Sequence, residues 1–434
     1  MKIQQLCLEK TLIRDNEEQM TTKTPQTELL APAGGWPQLR AALDAGADAI
    51  FLGAGTFNMR ARAKNFTLDE LSEVAELCHK RRVKTYLTLN TVVYEKELDA
   101  LEEVVRSAKT AGIDAVIAAD FAVISAAERH QLPVHISTQM SVSNSASLSM
   151  LYNMGIRRVV LARECTLEDL AEIRQQLERQ GLQMQLEAFA HGAMCVAVSG
   201  RCFMSGFITG RSANRGECAQ PCRREFDITS TRGGSEFTLS GHHVLSPKDL
   251  CTLPFVEKLL DAGVASLKIE GRNRSPDYVH LVVSAYRRAI DFYSEHRNDP
   301  DFDLRFQEQK DQEMAALKKV YNRGFSEGFY MGQPLGDWST DPGNQSTHAR
   351  DYIGQILQID QEKQRATLRL ESAGIEAGKT IFGESPELGF LEMIPDDIRQ
   401  EDQPVTSAEK GTLVTLPLAD YMHKGLKFYQ WLER

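Results

Sequence analysis

From Glu28 onward, short apolar runs alternate with longer stretches whose apolar residues recur at helical spacing. The runs lie at 28–31 (ELLA), 48–52 (DAIFL), 84–89 (KTYLTL), 114–118 (DAVIA), 134–137 (VHIS), 158–161 (RVVL), 184–189 (MQLEAF) and 265–269 (ASLKI). Amphipathic stretches such as 68–80 and 97–110 separate them, and Gly46, Gly112, Gly155 and Gly263 stand where a helix C-cap is expected. Alternating strand and helix units imply a parallel sheet with covering helices. Eight such units predict a closed (β/α)8 TIM-like barrel, with an open doubly wound sheet as the alternative.

The rhythm breaks between the seventh and eighth runs. Residues 187–222 read EAFAHGAMCVAVSGRCFMSGFITGRSANRGECAQPC, a Cys-rich insertion holding four of the chain's eight cysteines. A hairpin-like stretch at 226–238 follows, with Gly233 and Gly234 at its turn. In a barrel this insertion leaves the C-terminal end of a strand, the face on which active sites are built. After the eighth run come helical patterns at 276–294 and 308–320, and from Tyr352 short alternating runs predict a small all-β, barrel-like domain. The expected organisation is a flexible extension over 1–27, a catalytic barrel domain over 28–345 and a β domain over 346–434.

Cys195, Cys202, Cys218 and Cys222 are spaced C-x6-C-x15-C-x3-C. The chain shows neither a secretory signal nor an apolar membrane span, which points to the cytoplasm. There thiols stay reduced, and clustered cysteines mean metal or catalysis more often than disulfides. An iron–sulfur cluster, zinc and a reactive thiol all remain open on spacing alone, because only Cys218 and Cys222 form a close knuckle. Cys7, Cys78, Cys165 and Cys251 are scattered and read as incidental or buried. The formal net charge of -10 excludes a protein that coats nucleic acid broadly, but it leaves room for local basic clusters. Arg60, Arg62 and Lys64 form one; Arg201, Arg211, Arg215, Arg223, Arg224 and Arg232 surround the cysteines, diluted by Glu217, Glu225 and Asp227. Strand arithmetic also brings Asn90, Asp120, Gln139, Arg163, Glu164, His191, Glu270 and Arg272 to one rim. No G-x-S-x-G, H-E-x-x-H or papain-like signature supports a hydrolase, although His191 near a cysteine invites a nucleophile–base pair.

The run from Glu187 to Gly206 resembles the signature of the collagenase-like peptidase U-32 family. So do ELLAPAG at 28–34, NMRARAKNF at 58–66, HISTQMSVSN at 135–144, SPKDL at 246–250 and SLKIEGR at 266–272. The resemblance covers about 28–330, and the β domain is similar to one found in many members. It implies one of two activities: the peptidase activity of the family's name, or oxygen-independent hydroxylation. Hydroxylated substrates in the family are tRNA wobble uridine, a 23S rRNA cytidine and a ubiquinone precursor. By layout the tRNA type, producing 5-hydroxyuridine, fits this chain best. The resemblance further implies a [4Fe-4S] cluster on Cys195, Cys202, Cys218 and Cys222, with zinc as the alternative. It implies a link to a prephenate-derived small molecule, and leaves room for an electron donor or partner protein. His191, Glu164, Glu270 and Arg163 are the expected catalytic residues. Arg60, Arg62, Arg201, Arg211, Arg215 and Arg272 are the expected RNA contacts.

Overall fold

Strands covered on both faces read as unbroken apolar runs, and here all eight pair in parallel. The structure is a computed structural model. It describes residues 27–226, 243–333, 336–339 and 343–434, and the backbone of 228–229 and 238–239. The expected extension, apart from Thr27, Cys7 within it, and the tip of the expected hairpin lie outside the described residues. The first seven barrel strands are β1 (Glu28–Ala33), β2 (Ala49–Leu52), β3 (Lys84–Leu89), β4 (Ala115–Ala118), β5 (Val134–Ile136), β6 (Arg158–Val160) and β7 (Gln185–Ala193). Helices α1 (Trp36–Asp44), α2 (Leu71–Lys80), α3 (Leu98–Thr110), α4 (Phe121–Arg129), α5 (Ser145–Asn153) and α6 (Leu167–Arg179) connect them. The α6 start illustrates the local rules. Thr166 and Asp169 form a capping box, so the first turn's free N–H groups find acceptors within the helix.

Beyond β7 lie the short helix α7 (Met204–Thr209), the paired strands β8 (Ile228–Thr229) and β9 (Thr238–Leu239), and β10 (Asp249–Cys251). Helix α8 (Val256–Asp261) then leads to β11 (Ser266–Ile269), which pairs with both β1 and β7 and closes the barrel. Two features were absent from the sequence reading. β7 runs on past the barrel, and β10 returns antiparallel against its last residues, Asp249 opposite Ala193 and Cys251 opposite His191. β12 (Phe325–Ser326) adds to β10.

Inside the barrel, Leu30, Ala49, Phe51, Tyr86, Ala115 and Ile117 form an apolar layer. Buried ion pairs flank it: Arg158 with Glu28, and Lys268 Nζ with Glu187 Oε1 at 2.8 Å. Helices α9 (Pro276–His296) and α10 (Phe302–Lys319) follow β11. The C-terminal region is an antiparallel eight-stranded sheet with its own core, around Ile353, Leu368, Leu416 and Phe428. It rests on α1 and α9 through Phe390 beside His280 (5.0 Å between ring centroids) and Arg350 beside Asp277 (3.2 Å).

Candidate active site and cysteine centre

At the C-terminal ends of the barrel strands the loops enclose a cavity of about 370 Å³. Several segments build it, and four of them supply most of its charged and thiol side chains. The loop after β2 supplies Met59 and Arg60, and the end of β6 supplies Arg163. The segment after β7 supplies all four clustered cysteines, and β11 with its following loop supplies Lys268, Glu270, Arg272 and Arg274. The long insertion is held down by specific bonds. Arg223 donates to Ser246 Oγ (2.8 Å) and to the Pro247 and Met194 carbonyls (2.5 Å each). The Ala219 amide donates to Ser205 Oγ at 3.0 Å, and the Cys202 amide to Asn214 Oδ1 at 3.2 Å.

All four thiols line this space. Burial pushes the Cys222 thiol up, the Arg223 cation opposes that, and the other three cysteines all add to the rise. At three of the four, the amide two residues on donates to the sulfur: Ala197 to Cys195 (3.5 Å), Met204 to Cys202 (3.3 Å) and Gln220 to Cys218 (3.4 Å). A tetrahedral zinc needs its sulfurs within about 4 Å of each other. Among the described residues no group of three or more His, Cys, Asp or Glu side chains is placed to hold a single metal ion as it stands. Four thiols on the lining of one cavity suit a thiolate-held metal centre.

Charge on the walls points the same way. Arg60, Arg163, Arg223, Lys268, Arg272, Arg274 and Arg323 line the cavity, against the single carboxylate of Glu270. Asp249, beside Arg323 (3.1 Å) and Arg274 (3.9 Å), and Glu187, beside Lys268, offset part of this. The excess of cations calls for anions from the thiolates and from a ligand. Burial alone would raise the Glu270 carboxyl, but Arg60 (3.2 Å), Arg272, Arg163 and Lys268 together bring it down to about 2. Burial pulls Arg272 down to about 10, which leaves it charged at neutral pH. The Nε atoms of both Arg163 and Arg272 are buried without a hydrogen-bond partner. The two guanidinium groups add to the positive charge of the cavity wall, which suits a carboxylate or phosphate ligand.

Several sequence expectations change here. His191 does not line the cavity. It sits on the outer side of β7 among Tyr278, Tyr286 and Phe325, where burial, aided by Arg274, drives it down to about 3. A bulge is the cause: Lys268 pairs with Phe189 but Ile269 pairs with His191, so the face alternation slips at Ala190. Glu164 is likewise off the cavity wall; its carboxylate accepts the Ser199 amide at 2.8 Å and anchors the turn between the first two cysteines. Arg215 is spent on the Glu97 carboxylate and the Val92 carbonyl. Arg60 and Arg272 lie within the cavity, whereas Arg62, Arg201 and Arg211 are exposed. Lys268, Arg274 and Arg323 were missed, although a lysine in the middle of the apolar run SLKI was a visible signal. Cys78, Cys165 and Cys251 are buried away from the cluster.

A (β/α)8 barrel with a cysteine-walled, cationic cavity at its catalytic face defines the class of protein. Residues 34–340 match the model of peptidase family U32, and the chain belongs to that family. A Porphyromonas gingivalis protein named "Collagenase" is 37% identical over 94% of this chain and 98% of its own length. "tRNA hydroxylation protein P1" of Bacillus subtilis is 36% identical over 82% of each chain. "tRNA hydroxylation protein P" of Escherichia coli is 29% identical over 76% of this chain and 80% of its own. Among the described residues no helix is long and apolar enough to cross a membrane.

Proposed function

We propose that this chain is a tRNA hydroxylase that converts wobble uridine to 5-hydroxyuridine with a [4Fe-4S] cluster held by Cys195, Cys202, Cys218 and Cys222. The observation that carries the reading is the set of four cysteines lining a cavity with surplus positive charge. Relatives named for tRNA hydroxylation support the substrate class. When bound, such a cluster supplies the redox chemistry that side chains lack. The protein's own residues do the rest. Arg163 and Arg272, cations on the cavity wall, hold the carboxylates of a prephenate-derived co-reactant. Glu270 stays ionised at neutral pH and keeps Arg60 and Arg272 aligned, so it positions cations and does not transfer protons. Phe51, Ile117, Val160 and Phe189 give the cavity an apolar floor suited to a flipped base. The place of action is the cytoplasm; hydroxylating the ring without dioxygen removes two electrons from it, and the co-reactant or a redox partner protein accepts them.

The peptidase reading gains nothing from the geometry. The histidine–cysteine neighbours that do exist, His191 and Cys251, sit opposite each other on paired strands with the ring driven to about 3 and the thiol to about 12. Both are neutral at pH 7, the reverse of an activated pair. Anaerobic purification with iron and sulfide quantitation tests the proposal. About four irons per chain and a shoulder near roughly 400 nm are expected. Cys218→Ser is expected to lose iron, colour and 5-hydroxyuridine in complemented tRNA. One zinc and no chromophore in the wild-type protein would overturn it.

A further inference from the structure

Helix α7 sits at the mouth of the cavity with two aromatic rings pointing away from the core. Phe203 lies between two cavity-lining residues, Cys202 and Met204, yet it is 73% exposed; Phe207, one turn on, is 87% exposed. Their ring centroids are 6.2 Å apart. The rings are not on a loose end, because Ser205 and Cys202 are both tied by the bonds described above to the segment that carries Cys218. Val198 and Ile208 extend the exposed apolar surface beside them. Large rings held out in water at a cavity mouth mark a ligand-contacting surface.

The charge around the patch selects the ligand. Between residues 196 and 226 there are five arginines and two acids, in a chain whose net charge is -10. Arg201, Arg211 and Arg224 are exposed, as are Arg62 and Lys64 on the loop after β2. That loop touches the insertion directly: a Cβ on Gly216 would lie 2.1 Å from the Asn58 carbonyl oxygen. Flat aromatic faces ringed by guanidinium groups are the recognition pattern for unstacked bases of a single-stranded loop.

We propose that Phe203 and Phe207 form a stacking platform for the nucleotides flanking the target base, while the exposed arginines hold their phosphates. The proposal rests on the RNA reading above and goes further by naming the residues that keep the loop splayed open. Removing a base from its stack and placing it in the cavity leaves its neighbours without partners, and the two rings supply them.

The test is fluorescence anisotropy with a labelled anticodon stem-loop RNA and cluster-loaded protein. Phe203→Ala and Phe207→Ala are each expected to weaken binding about tenfold, and the double variant about a hundredfold, with an unchanged salt dependence. Phe207→Trp is expected to keep wild-type affinity and to show additional indole emission that RNA quenches. A double alanine variant that binds within twofold of wild type overturns the platform, even if its turnover falls, since that result would assign the patch to a protein partner. Indole emission from Phe207→Trp that stays unquenched in the complex also overturns it. Wild-type protein that does not bind the RNA overturns the substrate reading itself, and the platform with it.

Discussion

His191 and Glu270 are both buried titratable groups on neighbouring strands, and their surroundings give them opposite fates. Glu270 has four cations near it and is held ionised. His191 has three aromatic rings and is held neutral. For His191 the unfolded chain binds a proton between pH 6.5 and about 3 that the folded ring does not. Stability from this source is therefore complete above pH 6.5 and falls as pH drops through that window, by at most about 1.4 kcal/mol per pH unit. His191→Gln is expected to make urea-denaturation stability less acid-sensitive between pH 6.5 and 4.5, with a slope shallower by about 1 kcal/mol per unit. The same variant is expected to keep its tRNA-hydroxylating activity within about tenfold of wild type, because no proton passes through this ring. A hundredfold loss with the fold intact would restore His191 to the reaction.

At the scale of elements, the Cys-rich insertion depends on where it is seated. Gly216 has φ of +82°, and an added Cβ would strike the Asn58 carbonyl oxygen at 2.1 Å and Ala61 at 3.0 Å. Gly216→Ala is expected to lift Cys218 from the wall, at a cost of about 2 kcal/mol or more. Iron content should fall by at least half while the far-ultraviolet circular dichroism of the barrel is retained; unchanged iron would show that the seat is dispensable. The elements themselves were largely legible. Eight apolar runs at barrel spacing became eight strands, because parallel strands covered on both faces leave a local signature. The extension of β7 and the return of β10 were not legible. Asp249–Cys251 becomes a strand only by pairing with β7 and β12, and nothing in its own residues asks for it. The bulge at Ala190 is equally a product of tertiary pairing, which is why strand arithmetic put His191 on the wrong face. Arg163 and Glu270 did reach the cavity because each follows or ends a regular run. Glu164, one residue further on, turned away to hold a loop amide.

At the scale of the whole molecule, the distribution of charge decides how an RNA would be held. The β domain docks on the flank of the barrel through Arg350, Asp277, Glu384 and the Phe390–His280 contact, and none of its described residues lines the cavity. With a net charge of -10, the chain cannot wrap a polyanion. Exposed cations near the mouth reduce to Arg62, Lys64, Arg201, Arg211 and Arg224, since Arg215 is paired with Glu97 and Arg60 with Glu270. Four or five phosphate contacts on a single-stranded loop give a slope of log K against log salt of about -3. Affinity for tRNA is then expected to fall roughly sixtyfold between 50 and 200 mM salt, as an anisotropy titration would measure. A protein gripping the tRNA body as well would show a slope of about -6 or steeper. That result would bring the β domain and the barrel flank into the binding surface. The shallow slope would confine recognition to the mouth, where stacking on aromatic rings, insensitive to salt, supplies the remaining affinity.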